Sequence, residues 1–156
     1  MIDIIHAETE AHFDAAGILF REYEKELDVD LCFQSFEEEL ATLPGKYQPP
    51  DGALLLGLVN NQTAGCVALR KLSDSVCEMK RLFVRPRFRH MGLGRLLSEK
   101  IISHAQLTGY QFMYLDTLAR LKDAIILYHS LGFQETDPYY HNPLDGVVYL
   151  QLDLSK

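Results

Sequence analysis

Hydrophobic and polar positions change their spacing several times along the chain, and each change marks an element. Ile2 to His6 reads as a short strand. From Glu10 to Leu27, Phe13, Ala16, Leu19, Phe20, Tyr23 and Leu27 recur at the three- and four-residue spacing of one helix face. Ser35 and Glu38 form an S-x-x-E capping box before a short helix predicted from Phe36 to Leu43, which Pro44-Gly45 stops. Lys46 to Gly52 (KYQPPDG) carries two prolines and a D-G pair and reads as a loop. Ala53 to Val59 is a continuous apolar run, a buried strand. Asn60-Asn61-Gln62 turns it back into a strand from Thr63 to Leu72, a hairpin. Val76 to Val84 is the next strand, ended by Pro86.

Helical spacing returns at Gly92 to Thr108, with Leu93, Leu96, Leu97, Ile101 and Ala105 on one stripe and Gly109 as the stop. Phe112 to Thr117 reads as a strand, Leu121 to Leu131 as a helix and Phe133 to Glu135 as the start of a strand. Pro138 to Gly146 (PYYHNPLDG) is a loop, and Val147 to Leu154 alternates as the last strand. Early strands lie close enough for antiparallel pairing, while later ones are separated by helices, as parallel crossovers require. The prediction is an α/β fold with one mixed sheet and helices on both faces, in a single domain over residues 1–156.

Composition narrows the function. The chain has 156 residues, 47% of them hydrophobic, and a formal net charge of −7. That charge excludes general nucleic-acid binding, which needs clustered Lys and Arg on phosphate. It is mildly consistent with a cationic acceptor, and better accounted for by plain solubility. No apolar run reaches membrane-span length and the N-terminus is unlike a signal peptide, so no membrane partner and a cytoplasmic location are expected. Cys32, Cys66 and Cys77 have no C-x-x-C spacing; reduced thiols and no metal site are expected.

The chemistry concentrates in EMKRLFVRPRFRHMGLGR, Glu78 to Arg95. It runs from a strand through a basic turn into a helix. A helix N-terminus binds anions through unpaired N–H groups, and Gly92 and Gly94 let a ligand approach the backbone. Arg85, Arg87, Arg89 and Arg95 surround the turn and are candidates to neutralise phosphate. A Walker loop is absent, for no G-K-[S/T] occurs. A dinucleotide fingerprint needs glycine where Leu97 stands.

Arg89-His90-Met91-Gly92-Leu93-Gly94 and, after an intervening strand, Leu127-Tyr128-His129-Ser130-Leu131-Gly132-Phe133 together resemble the two signatures of the GNAT superfamily of N-acetyltransferases. The resemblance covers most of the chain. It implies a central, mostly antiparallel sheet splayed open between the strands ending at Val84 and Thr117, with the pantetheine arm of acetyl-CoA in the split. Backbone groups of Leu82, Phe83 and Val84 would pair with pantetheine. Main-chain N–H groups of Arg89, His90, Met91, Gly92, Leu93, Gly94 and Arg95 would hold the pyrophosphate. Two departures stand out: the family often has glycine where this chain has His90, and asparagine where it has Leu121.

The resemblance also assigns chemistry. Tyr128 is the expected general acid to the coenzyme sulfur, since a phenol keeps its proton at neutral pH. Glu78 is the expected general base; a structural pair of Glu78 with Lys80 or Arg81, and deprotonation through ordered water, stand beside that reading. Alternation places Glu78, Lys80, Leu82 and Val84 on one face unless a bulge shifts the phase. Asp116, His129, Tyr139, Tyr140, His141 and Asn142 are candidates to meet the acceptor, with KYQPPDG as an opposite wall. The function implied is acetyl transfer from acetyl-CoA to a primary amine of a small molecule, by direct attack in a ternary complex and with no metal. Alternatives are a non-catalytic acyl-CoA sensor, a protein N-acetyltransferase and, least supported, a dinucleotide enzyme. A homodimer through the terminal strand is open.

Overall fold

The computed structural model describes residues 1–31 and 34–155, so Cys32 lies outside the described residues. The strands are β1 (Ile2–His6), β2 (Ala53–Val59), β3 (Gln62–Lys71), β4 (Val76–Val84), β5 (Phe112–Leu118), β6 (Gln134–Glu135) and β7 (Val147–Asp153). The α-helices are α1 (Glu10–Leu27), α2 (Phe36–Ala41), α3 (Leu93–Thr108) and α4 (Lys122–Ser130). The strands form one sheet in the order β1-β2-β3-β4-β5-β7-β6. Among the described residues only β4 and β5 run parallel; every other neighbouring pair is antiparallel. Parallel pairing is thus rarer than the helix-separated order suggested, because the loop after β6 brings β7 back antiparallel to β5.

Apolar spacing explains the layers. Leu93, Leu97, Ile101 and Ala105 of α3 and Tyr128 of α4 cover one face. Ala16, Leu19, Phe20 and Leu27 of α1 and Phe36 of α2 cover the other. Asn60 and Asn61 take φ of 50° and 68°, the left-handed pair of a tight primed hairpin turn. Cys66 and Cys77 are free and buried. Gly57 makes room for the start of α3: a Cβ there would come within 2.8 Å of Leu93 Cδ1.

Two local expectations change. Ser35 sits at φ 57° with no side-chain cap bond, so the Ser35–Glu38 box does not form. The box belongs instead to α1, where Thr9 accepts from the His12 amide at 3.1 Å and His12 Nδ1 accepts from the Thr9 amide. Within the proline loop, Gly45–Tyr47 forms a 3₁₀ turn that buries Tyr47.

The change that matters for the site lies in β4. Cys66 pairs with Phe83 and Ala68 with Lys80, so a two-residue step on β3 faces a three-residue step on β4. The extra residue is a β-bulge, with Arg81 at φ 62°. The bulge breaks the alternation expected from Glu78 to Val84. Leu82 and Val84 pack on the α3 side and Phe83 on the α1 side. Arg81 is 5% exposed and grips Glu39 through Nε and Nη2 at 2.9 and 3.0 Å.

The parallel pair is short. Val76–Glu78 pairs with Phe112–Tyr114, and there it ends. Beyond it β4 stays with β3 as far as Val84, and β5 stays with β7 as far as Leu118. The sheet splits, and facing strand edges are left unpaired with each other.

Candidate active site

A cleft of about 830 Å³ occupies the mouth of the split. Leu82, Phe83 and Val84 form one wall, and Leu121, Ala124 and Leu127 form the other. Tyr23, Glu26 and Leu27 of α1 close one side, and Arg89, His90, Gly92, Leu93 and Gly94 form the end. His90 and Gly92 hold φ of 67° and 83°, which turns the chain sharply into α3. A left-handed residue at 90 accounts for a preference for glycine there; histidine tolerates it at a cost of about 1 kcal/mol. Among the described residues no side chain caps the first turn of α3, which leaves its amides without a side-chain partner. At Gly94 a Cβ would meet Leu127 and Val84 at 3.8 Å, an ordinary contact, but a larger side chain would fill the cleft.

Met91 and Arg95, expected in the clamp through their main-chain N–H groups, do not line this cleft; Met91 is 44% exposed and the Arg95 guanidinium bonds Ser130 Oγ. The expected arginine collar is dispersed as well. Arg85 binds Glu22 through two bonds of 2.9 and 2.8 Å. Arg87 reaches Gln62 and lies over the Phe88 ring. Arg89 alone stays at the cleft, with Nε on the Val84 carbonyl at 2.9 Å and Nη2 on Glu26. Arg120 and Lys122 also line the cleft, so its cationic side chains come from both walls. The Val84 carbonyl, expected to meet pantetheine, is engaged by Arg89.

Further into the split, a cavity of about 80 Å³ is lined by Leu82, Met79, Lys80, Asp116, Leu121 and Tyr128, among others. Tyr23, Leu27, Leu82, Leu121 and Ala124 line both spaces and connect them. Tyr128 is 7% exposed and packs edge-on against Phe133. Burial pushes its phenol well above the ordinary range, so the proton is held firmly.

The sequence profile of the Acetyltransferase (GNAT) family matches residues 13–133. The chain belongs to this family. An N-acetyltransferase of Schizosaccharomyces pombe is 46% identical over 92% of this chain and 89% of its own. Human N-acetylaspartate synthetase is 31% identical over 65% of this chain, which corresponds to 34% of that protein. Solved structures share the fold. A GNAT acetyltransferase from Staphylococcus aureus superposes with TM-score 0.82 at 21% identity, covering 99% of both chains. The yncA acetyltransferase from Salmonella typhimurium, solved with acetyl-CoA, superposes with TM-score 0.69 at 20% identity, covering 98% and 94%. The ribosomal-protein-S18-alanine N-acetyltransferase of Escherichia coli gives TM-score 0.73 at 24% identity, covering 99% and 94%.

In this acetyltransferase the inner cavity adjoins a polar network. Asp116 Oδ2 accepts from Tyr140 Oη and from Asn142 Nδ2, the latter at 2.9 Å. Gln34 links Tyr140 to Lys80 with bonds of 3.1 Å to each. A third space of about 210 Å³ is lined by Gln34, Lys46, Tyr47, Arg70, Lys80 and Tyr140, among others. Asp116, Tyr140 and Asn142 come together here, Tyr139 lines none of the three spaces, and the KYQPPDG loop supplies Lys46 and Tyr47. His129 and His141 are exposed and line none of these spaces.

Glu78 is fully buried at the vertex of the split. Its Oε1 accepts from Arg70 Nε at 2.6 Å, its Oε2 from Tyr139, and Lys80 Nζ stands 3.9 Å away. Glu78 lies behind these groups rather than on a cavity wall. Burial, and then the neighbouring Glu78 charge, raise the Tyr139 phenol so that it remains a donor. Gln34, Arg70 and Tyr23 carried no sequence signal as site residues. Helical spacing marks Tyr23 as apolar lining, and only the fold shows that it edges the cleft, with its phenol pushed up to about 12 by burial.

Proposed function

We propose that this GNAT enzyme transfers an acetyl group from acetyl-CoA to the primary amine of a small molecule, by direct attack within a ternary complex. The observation that carries the reading is the continuity of the split. A coenzyme-sized cleft ending at an uncapped helix narrows into a cavity at Tyr128, and that cavity meets polar groups from the other side. The amides of the first turn of α3 and Arg89 hold pyrophosphate. The free edge of β4 at Leu82 and Phe83 takes the pantetheine arm. Leu121, where the family often has asparagine, leaves that contact to the strand edge. Tyr128 donates its proton to the departing sulfur. Glu78 takes the amine's proton through the polar side chains between it and the inner cavity. Small cavities beyond Tyr128 favour a small acceptor, and the relatives include proteins named for N-acetylaspartate synthesis.

The test is release of free CoA from acetyl-CoA across a panel of amines. Tyr128→Phe is expected to lower kcat by ~10²-fold or more with unchanged acetyl-CoA affinity. An undiminished kcat would remove the acid role. Tight acetyl-CoA binding with no amine consumed would favour a sensor instead.

A further inference from the structure

The charge of the polar pocket specifies what else the acceptor carries beside its amine; this step rests on the reading of the split as an acetyl-transfer site. The chain is acidic overall, with net charge −7. The pocket inverts that balance: Lys46, Arg70 and Lys80 line it against one carboxylate, Glu39. With their partners included, Glu78 on Arg70 and Arg81 on Glu39, four cations stand against two carboxylates.

The two arginines are satisfied. Arg70 meets Glu78 at 2.6 Å and Arg81 meets Glu39 at 2.9 Å. Lys80 is not matched in the same way. Its Nζ donates to the neutral Gln34 amide at 3.1 Å, and Glu78, already shared with Arg70, is 3.9 Å away. The Lys80 side chain is only 8% exposed, so water does little to screen its charge. Burial pulls its pKa down most, with Glu78 and Asp116 pulling up against Arg81 and Arg70. A buried cation held by a neutral amide gains most from an anionic ligand.

Position fixes which anion. Lys80 and Gln34 line both the polar pocket and the inner cavity, while Asp116 lines the inner cavity beside Tyr128. One oxygen of Asp116 is taken by Tyr140 and Asn142; the other makes no hydrogen bond with the described residues. An anion at Lys80 and an ammonium at Asp116 therefore belong to one short molecule. We infer that the acceptor is a free amino acid, its carboxylate bound by Lys80 with Lys46 at the pocket mouth, and its amine presented in the inner cavity beside Asp116. A protein N-terminus lacks that carboxylate, and the 210 Å³ pocket has room for an amino-acid side chain rather than a folded partner.

The experiment compares free amino acids with their methyl esters and decarboxylated amines in the CoA-release assay, with thermal stabilisation by acetyl-CoA read in parallel. At least one amino acid is expected to exceed its ester by roughly 30-fold or more in kcat/KM, the effect of losing one partner of a buried charge pair. Lys80→Met should abolish that preference with acetyl-CoA stabilisation intact, and Lys80→Arg should restore part of it. Lys46→Met, at an exposed position, should reduce the preference without touching the core. Esters used as well as acids, a preference that survives both methionine variants, or acetyl-CoA binding with only carboxylate-free amines consumed would overturn the inference. Absence of acetyl-CoA binding would overturn the enzyme reading beneath it.

Discussion

At the residue scale, Glu78 has one role in the fold and one proposed role in the chemistry, and two measurements on one variant separate them. It is fully buried and neutralises Arg70 across 2.6 Å, so it braces the vertex of the split. It is also the proposed sink for the amine's proton. Glu78→Gln keeps the shape and some hydrogen bonding but removes the charge and the basicity. Loss of a charge-assisted bond predicts about 2 kcal/mol lower stability, read by urea unfolding. Loss of the base predicts a fall of roughly 10²-fold in kcat/KM at saturating acetyl-CoA. A destabilised variant with full kcat/KM would leave Glu78 as a brace alone.

At the element scale, β4 shows why a single sequence reads well for fold and less well for site. Its limits, Val76 to Val84, follow from alternation and Pro86, and the structure has the same limits. Its bulge does not follow, because Arg81 is not a residue that advertises a left-handed φ. What holds Arg81 there is tertiary: Glu39 of α2 binds both ends of its guanidinium, and its charge lies over the Phe36 ring. The helix stop at Gly109 and the turn glycine Gly92 were legible for the opposite reason, since glycine is the local answer to a positive φ. Lys80, Gln34 and Arg70 meet only when β3, β4 and the segment before α2 are packed, so no local spacing announces them. Arg81→Met is therefore expected to cost about 3 kcal/mol, because it strands Glu39 in the wall of the polar pocket. Combining it with Glu39→Gln should recover part of that loss. Stability unchanged by Arg81→Met would mean that the bulge is set by the β3–β4 register rather than by this pair.

At the scale of the whole molecule, the split makes the folded chain a receptor before any ligand arrives. The sheet gives up pairing between β4 and β5 beyond Glu78 and Tyr114, and α1 packs across the gap. A ligand that pairs with the free edge of β4 and the first turn of α3 joins the two halves and binds only the folded state. At about 100 times its Kd such a ligand adds about 2.7 kcal/mol of stability, a clear rise in Tm. Acetyl-CoA and CoA should both produce it, and NAD should not, since Leu97 stands where a dinucleotide turn needs glycine. Gly94→Val supplies the control within the protein. Its side chain would project between Leu127 and Val84, each 3.8 Å from the position of its Cβ, and narrow the cleft. The variant should fold with its own Tm near that of the parent, because valine and glycine differ little in the first turn of a helix, and yet lose most of the shift with acetyl-CoA. An equal shift in parent and variant would place the coenzyme elsewhere. Stabilisation of the parent by NAD as strongly as by CoA would mean that the clamp reads only a pyrophosphate and that selection for the pantetheine arm along β4 is not made.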